Sequence, residues 1–179
     1  YSGFTYQDSL GSEEIVNGDF ATDSDWTKGT GWSISGGLAS CDGTQVGNTN
    51  LTQGGIFSSL GNKNIKISFT VSNYSAGSVR FISGNGALTH TAVSTNGVVN
   101  LYFNIGANTA TSFNIQGDAD FIGSIDNVSV KEYLGQEVVP DSGCGAWLFE
   151  PQSTNLITYS EDFSASSWTK ANSTISLSN

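Results

Sequence analysis

The chain of 179 residues contains no methionine, one histidine, two prolines and two cysteines. Each scarcity removes a class of chemistry. A lone His90 has to serve any Ser or Cys triad, and no G-x-S-x-G elbow accompanies it, so nucleophilic hydrolysis has no machinery to draw on. Cys41 and Cys144 are too few and too far apart for a disulfide framework, and their spacing fits no zinc site; both are expected to be free thiols. Only six Lys and Arg stand against sixteen Asp and Glu, a formal charge of −10. Nucleic acid and anionic membrane both demand a basic footprint, so neither is an expected partner. No apolar run approaches the roughly 20 residues of a membrane span. The glycine clusters, "GNGALT" among them, lack the following helix that a phosphate loop requires.

Charged residues make up 12% of the chain, and Gly, Ser, Thr and Asn fill the space they leave, a composition common among extracellular and viral β proteins. Strand patterns dominate. Ile65, Ile67, Phe69 and Val71 alternate with Lys66, Ser68, Thr70 and Ser72, the period of two expected of a strand with one buried face. Val99, Leu101, Phe103 and Ile105 repeat the pattern, as do Phe113 and Ile115. Shorter strands are expected at 13–16, 51–60, 78–83 and 121–133.

Two hairpins can be given a register. A Gly36-Gly37 turn tolerates positive φ and sets Ile34 opposite Ala39 and Trp32 opposite Cys41. An Asn96-Gly97 turn, if no bulge intervenes, pairs Ala92 with Leu101 and His90 with Phe103, which would put His90 on the core side. Nine or ten short strands with no helix between them predict an all-β, antiparallel two-sheet β-sandwich of the jelly-roll type.

The chain also begins twice. "NGDFATDSDWTK" at 17–28 returns as "SEDFSASSWTK" at 160–170, with one residue of difference between Phe and Trp, an internal repeat that is cut off. The expected organisation is a lead-in over 1–12 belonging to a preceding segment, a complete domain over 13–133, a connector over 134–155 that holds both prolines, and the incomplete start of a second similar domain over 156–179.

"NGDF" at 17–20, Trp26, Trp32 and "IDNVSV" at 125–130 resemble the first and last strands of carbohydrate-binding modules with a galactose-binding-like jelly roll. "LFEPQSTNLITYSEDFSASSWTK" at 148–170 is similar to the connector and repeat opening of phage tail fibre and other virion appendage proteins. The resemblance implies a non-catalytic glycan-binding or adhesion module on a virion surface, contacting glycans of a host cell, with other copies of the chain, in a homotrimer for example, as further partners. It leaves open a structural spacer repeat without a ligand, and an accessory module of a secreted polysaccharide hydrolase. Related modules hold a structural Ca²⁺ between first and last strands. Asp126 matches one family ligand, but Ala21 stands where the other carboxylate belongs, so Asp19, Asp23 or backbone carbonyls would have to compensate.

For saccharide binding, an aromatic ring ringed by planar hydrogen-bonding groups on a preformed surface is required. The solvent side of the central strands offers Arg80, Asn100, Tyr102, Asn104, Asn114 and Gln116, with Tyr102 as the platform. Tyr74 lies in a turn, where it would line a loop-end site or cover the sandwich edge. The acidic pairs Asp23/Asp25 and Asp118/Asp120 are read as turn residues.

Overall fold

The computed structural model describes residues 4–107 and 110–140. Ten strands follow one another without a helix among the described residues: β1 (Phe4–Glu13), β2 (Thr27–Lys28), β3 (Trp32–Ser35), β4 (Leu38–Asp42), β5 (Thr49–Gln53), β6 (Asn64–Ala76), β7 (Val79–Ser83), β8 (Gly97–Asn104), β9 (Phe113–Gly117) and β10 (Ile122–Pro140). They form two antiparallel sheets, β3-β4-β10-β6-β8 with β1 also on β10, and β2-β5-β9-β7. The architecture is the expected all-β jelly-roll sandwich.

The alternations decide which side faces in. Ile65, Ile67, Phe69 and Val71 of β6, Val99 and Leu101 of β8, Phe113 and Ile115 of β9 and Val79 and Phe81 of β7 are all buried between the sheets. Phe81 and Phe113 stack with centroids 5.1 Å apart, and Phe57 meets both. Each fully buried Phe or Ile contributes about 1.5–3 kcal/mol relative to exposure, which is what holds two otherwise unlinked sheets together. The Gly36-Gly37 hairpin has the expected register, Ile34 against Ala39 and Trp32 against Cys41. Both glycines have positive φ, 61° and 78°, as a two-residue turn of this hand requires. Cys41 is a free, buried thiol, and burial pushes its pKa up, so it packs as a small apolar side chain. Cys144 lies outside the described residues.

The opening motif is held by its own chemistry. The Asn17 side chain donates to the carbonyls of Thr22 and Ser24 at 2.7 and 3.0 Å and accepts from the Thr22 N–H, while its own carbonyl accepts from Trp26 Nε1 at 3.0 Å. Phe20 and Trp26 then pack with centroids 5.3 Å apart. Gly18 meets the last strand: Val128 N–H donates to its carbonyl at 2.9 Å. A Cβ on Gly18 would fall 2.0 Å from the Val128 oxygen. The contact sits where β10 bulges between Asp126 and Ser129 and Asn127 takes a positive φ of 51°. "NGDF", Trp26 and "IDNV" are therefore three sides of one contact.

Three expectations change. Residues 4–12, expected in the lead-in, form β1 on β10 together with Glu13; Glu14 N–H donates to Val130 O at 3.0 Å, and a Cβ on Gly11 would lie 3.1 Å from Glu132 Cβ. The strand expected over 13–16 is instead the exit from β1. β10 runs on to Pro140, through the start of the expected connector. The rest of the connector and the repeat opening over 156–179 lie outside the described residues.

The Asn96-Gly97 hairpin does not form. β8 pairs with β6 along its whole length, Ile65 facing Phe103 and Ile67 facing Leu101. Residues 88–93 pair instead with the free edge of β7 through Val79↔Val93 and Ile82↔Thr89 bridges. Asn96 spends its side-chain oxygen on the Tyr74 N–H, 2.9 Å, and the chain crosses there from one sheet to the other. His90 accordingly lies half-buried beside β7, its N–H on the Phe81 carbonyl at 3.1 Å, and Phe103 pairs with Ile65 instead.

Candidate functional site

Arg80, Asn100, Tyr102, Asn104, Asn114 and Gln116 all point away from the core, yet they do not share a face. Asn100, Tyr102 and Asn104 belong to β8 in the larger sheet; Arg80 lies on β7, and Asn114 and Gln116 on β9, in the smaller one. A period of two separates inside from outside but is silent about which of two outsides is meant. The single row becomes two surfaces on opposite sides of the sandwich.

On the larger sheet, Tyr102 stands half-exposed at 52%. Register places Lys66 beside it on β6, and Lys131 of β10 beside Lys66. Two lysines directly opposite each other repel. β1 answers with carboxylates: Asp8 lies 2.6 Å from Lys66 Nζ, and Glu13 lies 3.7 Å from Lys131. Tyr102 donates its hydroxyl proton to the same Asp8 oxygen at 2.8 Å, and Lys66 Nζ sits 5.6 Å from its ring centroid. The Lys66 and Tyr102 hydrogen bonds hold the Asp8 carboxyl below the ordinary carboxylate range. Asp8 in turn raises the pKa of Lys66, and of Tyr102, which keeps its proton more firmly. The ring is thus fixed before any ligand arrives.

Tyr133 of β10 meets Tyr102 edge to face, with centroids 5.1 Å apart at 73°. Between them lies a depression of about 310 Å³ lined by Asn64, Ile65, Tyr102, Phe103, Asn104 and Tyr133. Asn104 Nδ2 donates to Asn64 Oδ1 at 2.8 Å, which leaves amide donors and an acceptor free at the rim. Tyr6, two residues before Asp8 and 76% exposed, is on the same side of β1. Asn100, opposite Ser68, stands one step further along β8 and does not line the depression.

On the smaller sheet, Arg80 donates through Nε and Nη2 to Gln116 Oε1 at 3.1 and 2.7 Å, and Gln116 Nε2 donates to Asn50 Oδ1 at 3.0 Å. Asn114 is not available to a ligand. It is 6% exposed, and both ends of its amide are engaged, by Thr52 Oγ1 and the Ile82 carbonyl. Tyr74 covers the sandwich edge, packed against the core with its hydroxyl on the Gly77 carbonyl at 3.0 Å.

The residues expected to hold Ca²⁺ do not assemble. Asp126 turns both carboxylate oxygens to Asn127, at 2.6 and 3.0 Å, and Asp19 accepts from the Ala21 N–H at 3.3 Å. Asp23 pairs with Lys28. Among the described residues no three His, Cys, Asp or Glu side chains gather around one point, whereas Ca²⁺ needs six to eight oxygens. With Ala21 in place of a carboxylate, the donor set does not fit the ion.

Lys66, Asp8, Asn64 and Tyr133 were not among the expected site residues. Lys66 lies within the β6 alternation and Asn64 just before it, and both carry a local signal, but the pairing that brings them beside Tyr102 and Asn104 spans almost forty residues. Asp8 carried none, because β1 shows no clear period.

No family model matches the chain, and no curated protein matches it. Among solved structures, the chain is similar to a bacteriophage CBA120 tailspike protein 4 enzymatically active domain, at 20% identity and a TM-score of 0.46 over 68% of this chain; the match spans only 21% of that tailspike chain. It is also similar to TmCBM27, a carbohydrate-binding module described for specific mannan recognition, at 12% identity and a TM-score of 0.40, covering 70% of this chain and 98% of that one. A CBM4 structure gives 12% identity and a TM-score of 0.38, covering 70% and 99%.

Proposed function

We propose that the chain is a non-catalytic glycan-binding module of a virion appendage, and that a saccharide seats in the depression between Tyr102 and Tyr133. The observation that carries this reading is the immobilised, half-exposed Tyr102 standing edge-on to a second tyrosine above the Asn64–Asn104 amide pair. A pyranose presents C–H groups on one face and hydroxyls around its rim. The ring of Tyr102 suits the first, and paired amides suit the second. Because Asp8 and Lys66 already fix Tyr102, little side-chain entropy is lost on binding, a saving of about 0.5–1.5 kcal/mol per ordered side chain. The virion placement rests on the wording of residues 148–170 and on nothing in the site.

Amide shifts followed while neutral, acidic and amino oligosaccharides are titrated test the proposal. Shifts concentrated on β6, β8 and β10 around Tyr102, and lost in Tyr102→Ala, are expected. Silence across all three classes would sink it.

A further inference from the structure

Five of the six Lys and Arg fall among the described residues, and four have a carboxylate within ion-pair distance: Lys28 with Asp23, Lys63 with Glu132, Lys66 with Asp8 and Lys131 with Glu13. Arg80 is the exception. Among the described residues it has no acidic partner, although acids outnumber bases sixteen to six. A neutral amide holds it instead, and the ladder Arg80–Gln116–Asn50 crosses three strands. Asp118 lines the same recess, but its oxygens accept from Ser78 Oγ and the Asp120 N–H, so a guanidinium without an ion-pair partner keeps its remaining donors for an external anion.

The surroundings define that anion. Two of the five guanidinium N–H groups go to Gln116, leaving three, and the side chain lines a recess of about 200 Å³ with Asn48, Ser78, Ala92, Gln116 and Asp118. Through Asn48 the recess adjoins a groove of about 480 Å³ over Thr27–Thr30 and Gln45–Asn50, rich in threonine hydroxyls and asparagine amides. Burial opposes ionisation of Asp118, but the Ser78 hydroxyl and the backbone around it hold its carboxyl below the ordinary range, so it stays charged. One guanidinium beside one committed carboxylate accepts a monoanion and disfavours a phosphate dianion. The polar groove suits a polyhydroxylated chain. The overall −10 does not forbid this, since at 0.15 M salt charges beyond about 8 Å are largely screened.

We infer that Arg80 is the anion-reading group of a second saccharide subsite, on the face opposite Tyr102, and that it takes the carboxylate of an acidic sugar. The inference borrows from the proposed function only the class of ligand; the site and its chemistry are independent of Tyr102.

The test titrates the full chain with hexuronate and sialate oligosaccharides, each beside its carboxyl-reduced neutral counterpart, and with inorganic phosphate. At least one acidic oligosaccharide is expected to bind about tenfold or more tighter than its reduced twin, the factor that one charge-assisted hydrogen-bonded pair supplies. It should shift the Arg80 Nε–H and the Asn50 and Gln116 side-chain amides. Gln116→Glu, which keeps the acceptor for Arg80 and makes it an internal carboxylate while giving up the donor to Asn50, should erase the preference in a protein that still folds, and Arg80→Gln should do the same. Equal affinity for acid and reduced twins, a preference that survives Gln116→Glu, or the same Arg80 shifts with phosphate alone would overturn the inference. Neutral binding at Tyr102 in an unsubstituted chain that shows no acid preference removes this inference alone; absence of all glycan binding removes the proposed function as well.

Discussion

At the residue scale, Gly18 is the most constrained position described. Its missing Cβ is where the Val128 carbonyl stands, and a backbone oxygen cannot step aside as a flexible side chain would. Gly18→Ala is expected to cost about 3 kcal/mol or more, read as a lowered midpoint in chemical denaturation. Gly18→Glu, which copies the residue that the second opening carries at the aligned place, Glu161, should leave no cooperative transition at all. Asn17→Ala removes three side-chain hydrogen bonds and a residue tolerant of its positive φ of 53°; a loss of about 2 kcal/mol is expected by the same measurement. "NGDF" and "IDNVSV" were readable as words in the sequence because each is local. Their being two halves of one contact was not, since more than a hundred residues separate them.

At the element scale, β1 is attached by charge more than by burial. Asp8 spans Lys66 and Tyr102; Glu13 accepts from Val130 N–H at 2.8 Å and from Ser129 Oγ at 2.6 Å. Asp8 has a lowered folded pKa, so its contribution is present above the unfolded pKa and is lost as pH falls through the folded value. Tyr102 has a raised one, so its contribution is present below the unfolded pKa and is lost as pH rises through the folded value. Protection along β1, the exchange rate taken relative to the intrinsic rate at each pH, should be flat near neutrality and fall below about pH 4, while β6 stays protected. Asp8→Asn should remove the Asp8 part of that acid limb and mobilise Tyr102, weakening any saccharide that stacks on it. If β1 protection ignores pH, the clamp is not electrostatic.

The same scale shows why some pairings could be read in advance. The Gly36-Gly37 hairpin encloses its own partners, so turn chemistry and alternation agree within ten residues. Asn96-Gly97 carries the same kind of signal, but β6 offers β8 a partner rich in Ile and Phe, and tertiary packing outweighs the local turn. The division of Arg80 and Tyr102 between two surfaces has the same origin, because alternation measures depth and not address.

At the scale of the whole molecule, β10 is the member on which the larger sheet is assembled, with β4, β6 and β1 all bonded to it. Deleting residues 1–12 should leave the sandwich core in place, since its buried Phe and Ile lie elsewhere, yet bare the β10 edge beyond β4. A lower thermal midpoint and concentration-dependent association in sedimentation are the expected outcomes.

The antiparallel seam between β1 and β10 also has a mechanical meaning. Glu14 meets Val130 and Gly11 lies by Glu132, so the numbers run in opposite directions and the chain enters and leaves the sandwich side by side. A tether pulled at Phe4 and Pro140 loads these bonds one after another, as a zip opens, rather than together in shear. Under tension the sandwich would hang from the line like a bead on a loop, adding little to the span between its ends and yielding its first strand at low force.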